Sequence, residues 1–185
     1  MFSIIGLGNP GKEYIKNRHN AGFLIVEEIA SFFNAPNWKK KHKSLISKGI
    51  LQNQPVVFVK PETFMNLSGE SILETNKYYK IPTENVIIIH DDLDLSVGKI
   101  KAKLGGGNAG HKGLINISKL IGNNYYRIRI GIGHPGKDNV SRYVLEDFED
   151  HELILLEKNM AYIKNNIHLI LDNQIDTFNK DLNEI

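Results

Sequence analysis

The chain has 185 residues, 41% of them hydrophobic and 24% charged, which predicts one globular domain over residues 1–185. It contains no cysteine, no evident signal segment and no stretch near the roughly 18 apolar residues of a membrane span, so disulfides, thiol chemistry and a transmembrane helix are excluded, and we expect a cytoplasmic protein. The net charge of +2 divides into +9 for residues 1–145 and −7 for the remainder, which suggests a polyanionic partner or, equally well, two solvated surfaces.

Strands and helices alternate along most of the chain. In chain order we predict a strand over residues 2–7, a helix over 21–33, hairpin strands over 45–51 and 56–59, a helix over 68–79 capped by Ser68, strands over 86–89 and 98–104, a helix over 114–121, a strand over 125–132 and a long helix over 149–171. Residues 176–185 have little apolar periodicity and are expected to fray.

The densest basic cluster is WKKKHK, residues 38–43. Its tryptophan could stack on a base, which would make the cluster an RNA contact. A solvated loop is the commoner interpretation of such a run.

A glycine-rich turn follows the first strand, with Asn9, Pro10 and Gly11 supplying its turn chemistry. The segment from Gly6 to Gly11 matches GxGxxG, the pattern of a dinucleotide site. That interpretation is weak, because Pro10 interrupts the glycines and no acidic residue ends a second strand at the required distance.

Polar residues also gather at the ends of other predicted strands. A metal site is one hypothesis, and its candidate ligands are His90, Asp91, Asp92, Asp94, His111 and His134. The scatter of these histidines, without HxxxH or HxH spacing, argues against it. A second hypothesis combines Asn9, His19, Asn66 and Asp91: a histidine beside a carboxylate can activate water, while the amides hold a carbonyl group.

Five sequence blocks carry a resemblance to a known family. They are GLGNPGKEYIKNRHNAGF, KPETFMNLSGES, HDDLDLSVG, KLGGGNAGHKGL and RIRIGIGHPG, in this order and at compatible distances. Over nearly its whole length the chain resembles bacterial peptidyl-tRNA hydrolase. The resemblance implies an α/β fold with a mixed, twisted central β-sheet and helices packed on both faces, in agreement with the predicted elements.

The same resemblance implies an activity and a set of site residues. The activity is hydrolysis of the ester between a peptide and the 3′ ribose of tRNA, so the partner is peptidyl-tRNA, contacted at its acceptor stem and 3′ CCA end. His19 resembles the base that activates water, and Asp91 the acid that orients it. Substrate contacts are implied for Asn9, Tyr14, Met65, Asn66 and His111, and tRNA 5′-phosphate contacts for Lys103 and Arg129. We expect a monomer without metal or cofactor.

One position departs from the family pattern. The family's loop reads GGHNGL, whereas this chain has AGHKGL, so Lys112 replaces an asparagine whose role is not transferred to it. A contact between Lys112 and phosphate is a hypothesis for this position. The sequence also permits two other classes of protein, a metal-dependent hydrolase and a non-catalytic RNA-binding module.

Overall fold

The computed structural model describes residues 1–136 and 139–182. Its strands are β1 (Phe2–Gly6), β2 (Lys39–Lys41), β3 (Ser44–Leu51), β4 (Gln54–Pro61), β5 (Val86–Asp92), β6 (Ile100–Leu104) and β7 (Tyr126–Gly131). Its helices are α1 (Ala21–Phe32), α2 (Ser68–Tyr79), α3 (Lys112–Ile121), α4 (Val140–Tyr143), α5 (Asp150–Asn166), α6 (His168–Leu171) and α7 (Ile175–Asp181). None of these helices is long and apolar enough to cross a membrane.

The strands form one mixed sheet in the order β2-β3-β4-β1-β5-β7-β6. Strands β4, β1, β5 and β7 run parallel, whereas β2, β3 and β6 are paired antiparallel. The central strands β1 and β5 are buried on both faces, as the apolar run of residues 86–89 predicts.

Helices cover both faces of the sheet. On one face α1 packs with α5, α6 and α7 through a core that includes Ile25, Ile163 and Phe178. On the other face α2 and α3 contribute Ile72 and Ile117 to a second core. The expected α/β fold, a mixed sheet with helices on both faces, is therefore confirmed.

The carboxyl ends of the parallel strands meet at one edge of the sheet, the usual place for an α/β site. Helix α1 begins very close to this edge. A Cβ on Gly22 would lie 2.3 Å from the carbonyl oxygen of Ile89, so only glycine permits the approach. This contact fixes the turn just before α1, Arg18–Asn20, against the end of β5.

Several predicted boundaries differ from the structure. Strand β5 continues through Asp92, because its pairing with β7 extends that far. Ser68 does not cap α2; it is the first helical residue, and its hydroxyl donates to the carbonyl of Met65. The long C-terminal helix is interrupted at Ile167, and the segment expected to fray forms α7 because Phe178 is fully buried. Residues 183–185 of that expectation lie outside the described residues.

Candidate active site

A cleft of about 900 Å³ opens at the carboxyl edge of the sheet. It is bordered by the ends of β1 and β5, the turn before α2, the glycine-rich segment 105–111 and the start of α3. Of the residues expected to act on substrate, those that line it are Asn9, His19, Met65, Asn66, Asp91, Lys103, His111 and Arg129. Folding thus brings together residues that lie up to 120 positions apart.

His19 and Asp91 form the central contact of the cleft. Nδ1 of His19 lies 2.9 Å from Oδ1 and 2.8 Å from Oδ2 of Asp91, whose side chain is only 2% exposed. An ionised carboxylate accepts hydrogen bonds but donates none, so Nδ1 of His19 carries the proton. The other ring nitrogen, Nε2, is left with a free lone pair that can accept a proton from water.

His111 makes a second contact to the same carboxylate. Its Nε2 lies 3.1 Å from Oδ1 of Asp91, and its Nδ1 accepts a hydrogen bond from the backbone N–H of Leu114 as the N-cap of α3. These two bonds require the neutral Nε2–H tautomer. The ring centroids of His111 and His19 are 5.1 Å apart, so two imidazoles flank one carboxylate.

The electrostatics follow from these contacts. Burial lowers the pKa of His19, but the charge and hydrogen bond of Asp91 outweigh that effect and raise its pKa above the ordinary value. Burial raises the pKa of Asp91, while the charge of a protonated His19 and the hydrogen bonds from His19 and His111 bring it far below the ordinary value. Asp91 therefore stays ionised, and His19 is a stronger base than an isolated imidazole.

His90, the neighbour of Asp91 on β5, has the opposite character. It is almost fully buried, and its Nδ1 lies 2.6 Å from the backbone carbonyl oxygen of Asp91. Burial lowers the pKa of His90 to about 3. His90 is therefore neutral at physiological pH and serves as a packed wall against the ring of His111 rather than as a base.

Two side-chain amides, those of Asn9 and Asn66, also line the cleft. Oδ1 of Asn9 accepts a hydrogen bond of 2.9 Å from the backbone N–H of Met65, and the backbone of Asn9 is held from both sides by the Asn20 side chain. This orientation directs the carboxamide NH₂ of Asn9 away from the Met65 backbone and leaves it free to donate. Asn66 borders the cleft and is exposed. Met65 is buried beneath it.

Lys103 and Arg129 stand on β6 and β7 at another part of the cleft. Nε of Arg129 donates to Oδ2 of Asp92 at 2.7 Å, so the two terminal nitrogens of its guanidinium remain available. Burial, with the charges of Arg129 and Arg127, lowers the pKa of Lys103. A bound anion stabilises the charged form of a lysine that lies among other cations.

Sequence reasoning missed Arg127. Its side chain is fully buried and donates to the carbonyl oxygens of Gly107 and Gly106 at 2.7 and 2.9 Å, and to the side chains of Asn108 and Asn123. The guanidinium thus holds the glycine-rich segment that leads to His111. In the sequence, Arg127 and Arg129 are two positions apart and therefore share one face of the strand, but this alternation does not show that a loop covers Arg127.

A second missed feature is the support beneath His19. The neighbouring side chain, Arg18, is buried, pairs with Glu152 at 2.8 Å and lies 4.3 Å from the centre of the Tyr143 ring. The backbone N–H of His19 donates to the carbonyl of Val144. The acidic C-terminal part of the chain therefore folds onto the basic turn, a pairing that the charge asymmetry alone could have suggested.

Some expected contacts are not formed at the cleft. Tyr14 is half-buried in the turn Lys12–Tyr14 and is not among the residues that line the cleft. In the basic cluster of residues 38–43, Lys40 pairs with Glu62 and Lys43 with Glu70 and Glu74. These ion pairs weaken the case for an RNA contact there.

The six residues of the metal hypothesis are not assembled. In the described part of the chain, the group whose ligand atoms lie within 4.8 Å of one another is His19, Asp91 and His111. His90 is bound to backbone, Asp92 to Arg129, and His134 accepts from the backbone N–H of Gly136. The geometry favours the imidazole–carboxylate hypothesis over a metal centre built from those six residues.

An imidazole–carboxylate pair in an open cleft, at the sheet edge of an α/β protein, is suited to general-base catalysis. The family model described as peptidyl-tRNA hydrolase matches residues 3–185. The chain therefore belongs to the peptidyl-tRNA hydrolase family and is an enzyme of that family.

Individual relatives agree with this assignment. Peptidyl-tRNA hydrolases of Rickettsia bellii and Rickettsia prowazekii are 48% and 46% identical to the chain over 180 residues, which is 96% of this chain and 97% of each relative. The crystal structure of peptidyl-tRNA hydrolase from Acinetobacter baumannii superposes with a TM-score of 0.93 at 37% identity, covering 99% of this chain and 94% of that one.

Proposed function

We propose that the chain hydrolyses the ester between a peptide, or an N-blocked aminoacyl group, and the 3′ ribose of tRNA, using water activated by His19 and no metal. The observation that carries the mechanism is the contact of 2.8 Å between Nδ1 of His19 and Asp91 in an open cleft. It supports a neutral imidazole with its second nitrogen free and a fixed negative charge behind it.

The reaction would proceed in two steps. Nε2 of His19 takes a proton from water as the water oxygen attacks the ester carbonyl carbon, and Asp91 stabilises the imidazolium that forms. The tetrahedral intermediate then collapses, the bond between the carbonyl carbon and the 3′ oxygen breaks, and the imidazolium returns its proton to that oxygen. His111, as the second donor to Asp91, keeps the carboxylate in place throughout.

The two amides would act on the carbonyl group. The free NH₂ of Asn9 and the side chain of Asn66 are suited to donate to the carbonyl oxygen as it becomes negative. Met65 would shape the wall on which the peptide lies. Tyr14, half-buried and outside the cleft, would act at most through the turn that leads to His19.

The tRNA would be held by its acceptor stem and its 3′ CCA end. Lys103 and Arg129 are placed to bind the 5′ phosphate, and the free terminal nitrogens of Arg129 suit a phosphate group. Because all these groups belong to one chain, we propose that the enzyme acts as a monomer. The absence of cysteine suits a reducing compartment, and a tRNA substrate suits the cytoplasm.

A single assay tests this function. Purified protein is incubated with an N-acetylated aminoacyl-tRNA in excess EDTA, and freed tRNA is counted over time. We expect rapid release of tRNA that is unchanged by the chelator. Activity that disappears in EDTA and returns with added ion would establish a metal-dependent hydrolase. Binding of the acceptor stem with an intact ester after long incubation would establish a non-catalytic RNA-binding module.

A further inference from the structure

Lys112 is a cation beside the catalytic pair that the proposed chemistry does not use. It is the first residue of α3, directly follows His111, lines the cleft and is exposed. Across residues 1–136 and 139–182, no carboxylate forms an ion pair with it. The cleft itself contains three carboxylates, yet Asp91 is occupied by two imidazoles and Asp92 by Arg129.

The position of Lys112 separates it from the other cations of the cleft. Its charge acts on His19, where it lowers the pKa in opposition to Asp91. The charge of Lys103 is instead coupled to Arg129, Arg127, Asp92 and Asp94. The cleft therefore has two cationic positions, one at the β6–β7 strands and one at the catalytic imidazole.

A peptidyl-tRNA substrate carries a phosphate close to its ester, and this phosphate would lie near the second cationic position, that of Lys112. The scissile ester stands on the 3′ oxygen of the terminal adenosine, and the nearest phosphate is the one that joins this nucleotide to the preceding cytidine. When the ester carbonyl lies at His19, that phosphate enters a region where Asp91 is already ionised. An unpaired ammonium on the neighbouring helix offsets this repulsion.

We propose that Lys112 binds the last phosphodiester of the CCA end and so selects for a nucleotide next to the ester. This inference rests on the proposed function, because it assumes that the ester carbonyl lies at His19. It has a second consequence. The groups that face His19 are Asp91 from β5 and His111 and Lys112 from the start of α3, and a phosphate on Lys112 neutralises the one charge among them that opposes the imidazolium.

Binding of a trinucleotide tests the contact without any hydrolysis. The probe is CCA, compared with CCA in which the last linkage is a neutral methylphosphonate, each stereoisomer measured separately. The proteins are the wild type, Lys112→Gln, Lys112→Arg and Lys119→Gln, the last altering an exposed lysine on the same helix but outside the cleft. Dissociation constants are measured by NMR titration.

We expect the neutral linkage to weaken wild-type binding by about tenfold, as for one charge-assisted hydrogen bond. Lys112→Gln should bind both probes equally, whereas Lys112→Arg and Lys119→Gln should retain the discrimination. Equal loss in wild type and Lys112→Gln, or no discrimination by the wild type, would overturn the inference. Because the probe carries no ester, these results are independent of whether the enzyme hydrolyses peptidyl-tRNA.

The pH dependence of hydrolysis gives a second readout. Removing the Lys112 charge raises the pKa of His19 in the free enzyme, so the acid limb of kcat/KM should move to higher pH in Lys112→Gln. In the wild type the acid limb of kcat should lie at a higher pH than the acid limb of kcat/KM, because bound phosphate neutralises Lys112. This difference in pH should be smaller in Lys112→Gln. A separation of the two acid limbs that is as large in Lys112→Gln as in the wild type would contradict the proposal.

Discussion

Asp91 receives hydrogen bonds from two imidazoles, and this arrangement determines where the proton lies on each ring. His19 donates from Nδ1 and His111 from Nε2, while Nδ1 of His111 is occupied as a helix cap. Of these two histidines, only His19 keeps a ring nitrogen that is free to accept a proton. The chemistry of the site thus follows from counting donors and acceptors around one buried carboxylate.

Asp91→Asn tests the role of that carboxylate. A neutral amide removes the charge that raises the pKa of His19, so the base should titrate at lower pH and the acid limb of kcat/KM should shift downward. The maximal rate should fall by about 10²-fold or more, because the imidazolium loses its counter-charge. The measurement is a pH–rate profile of wild type and variant.

The matched control for this profile is Asp94→Asn, which removes a carboxylate of the same cleft that does not contact His19. The acid limb of kcat/KM for Asp94→Asn should lie at the same pH as that of the wild type. An Asp91→Asn profile that also coincides with the wild type would show that the carboxylate does not set the basicity of His19.

For single residues, the sequence predicted which side chains belong to the site but not the contacts that they make. The resemblance named His19, Asp91 and Asn9, and all of them line the cleft. It did not indicate that His111 contacts Asp91 directly, or that Oδ1 of Asn9 accepts a hydrogen bond from the backbone N–H of Met65. Both contacts depend on side-chain directions that are decided only when distant elements pack.

The glycine-rich segment between β6 and α3 is the element on which the site most depends. Its residues have little intrinsic order, since glycine allows many backbone conformations. The buried guanidinium of Arg127 ties it down by bonds to the carbonyls of Gly106 and Gly107. His111, which ends the segment, and Lys112, the first residue of α3, are thereby held at the cleft.

Arg127→Lys tests this support. An ammonium keeps the charge but cannot span two carbonyls and two amides as the planar guanidinium does. We expect faster backbone amide exchange across residues 105–110, unchanged exchange in β1 and β5, and a fall of about tenfold in kcat/KM. Hydrogen exchange read by mass spectrometry and steady-state kinetics measure the two effects.

Arg142→Lys is the control, because that side chain is 83% exposed and pairs with Glu146 at the surface. It should change neither exchange in the segment nor the rate. Unaltered exchange in residues 105–110 of Arg127→Lys would mean that the segment is ordered by something other than the arginine.

Element types were predicted better than element ends. The helix over residues 68–79 has the predicted bounds, whereas β5 extends three residues beyond its apolar run because its pairing with β7 includes His90, Asp91 and Asp92. The short strand Lys39–Lys41 was not predicted, because three consecutive lysines show no alternation. As an edge strand its charges oppose pairing with another chain.

The strand order of the whole molecule was not predicted from the sequence. Alternating strands and helices agree with an α/β fold, but the connections permit several arrangements, and packing selects β2-β3-β4-β1-β5-β7-β6. The charge asymmetry also has an internal explanation in part, since Glu152 of the acidic segment pairs with Arg18 beside the site. That the chain is one domain stays a prediction.

The proposed hydrolysis requires His19 as the base, and the rate of a single turnover reports on that role. The rate of hydrolysis of N-acetylated aminoacyl-tRNA is measured under single-turnover conditions at saturating enzyme for the wild type, His19→Ala and His151→Ala. His151 is an exposed histidine that does not line the cleft. We predict that His19→Ala loses about 10² to 10⁴-fold in rate with little change in tRNA binding, while His151→Ala keeps the wild-type rate. Near-normal turnover by His19→Ala would contradict the account.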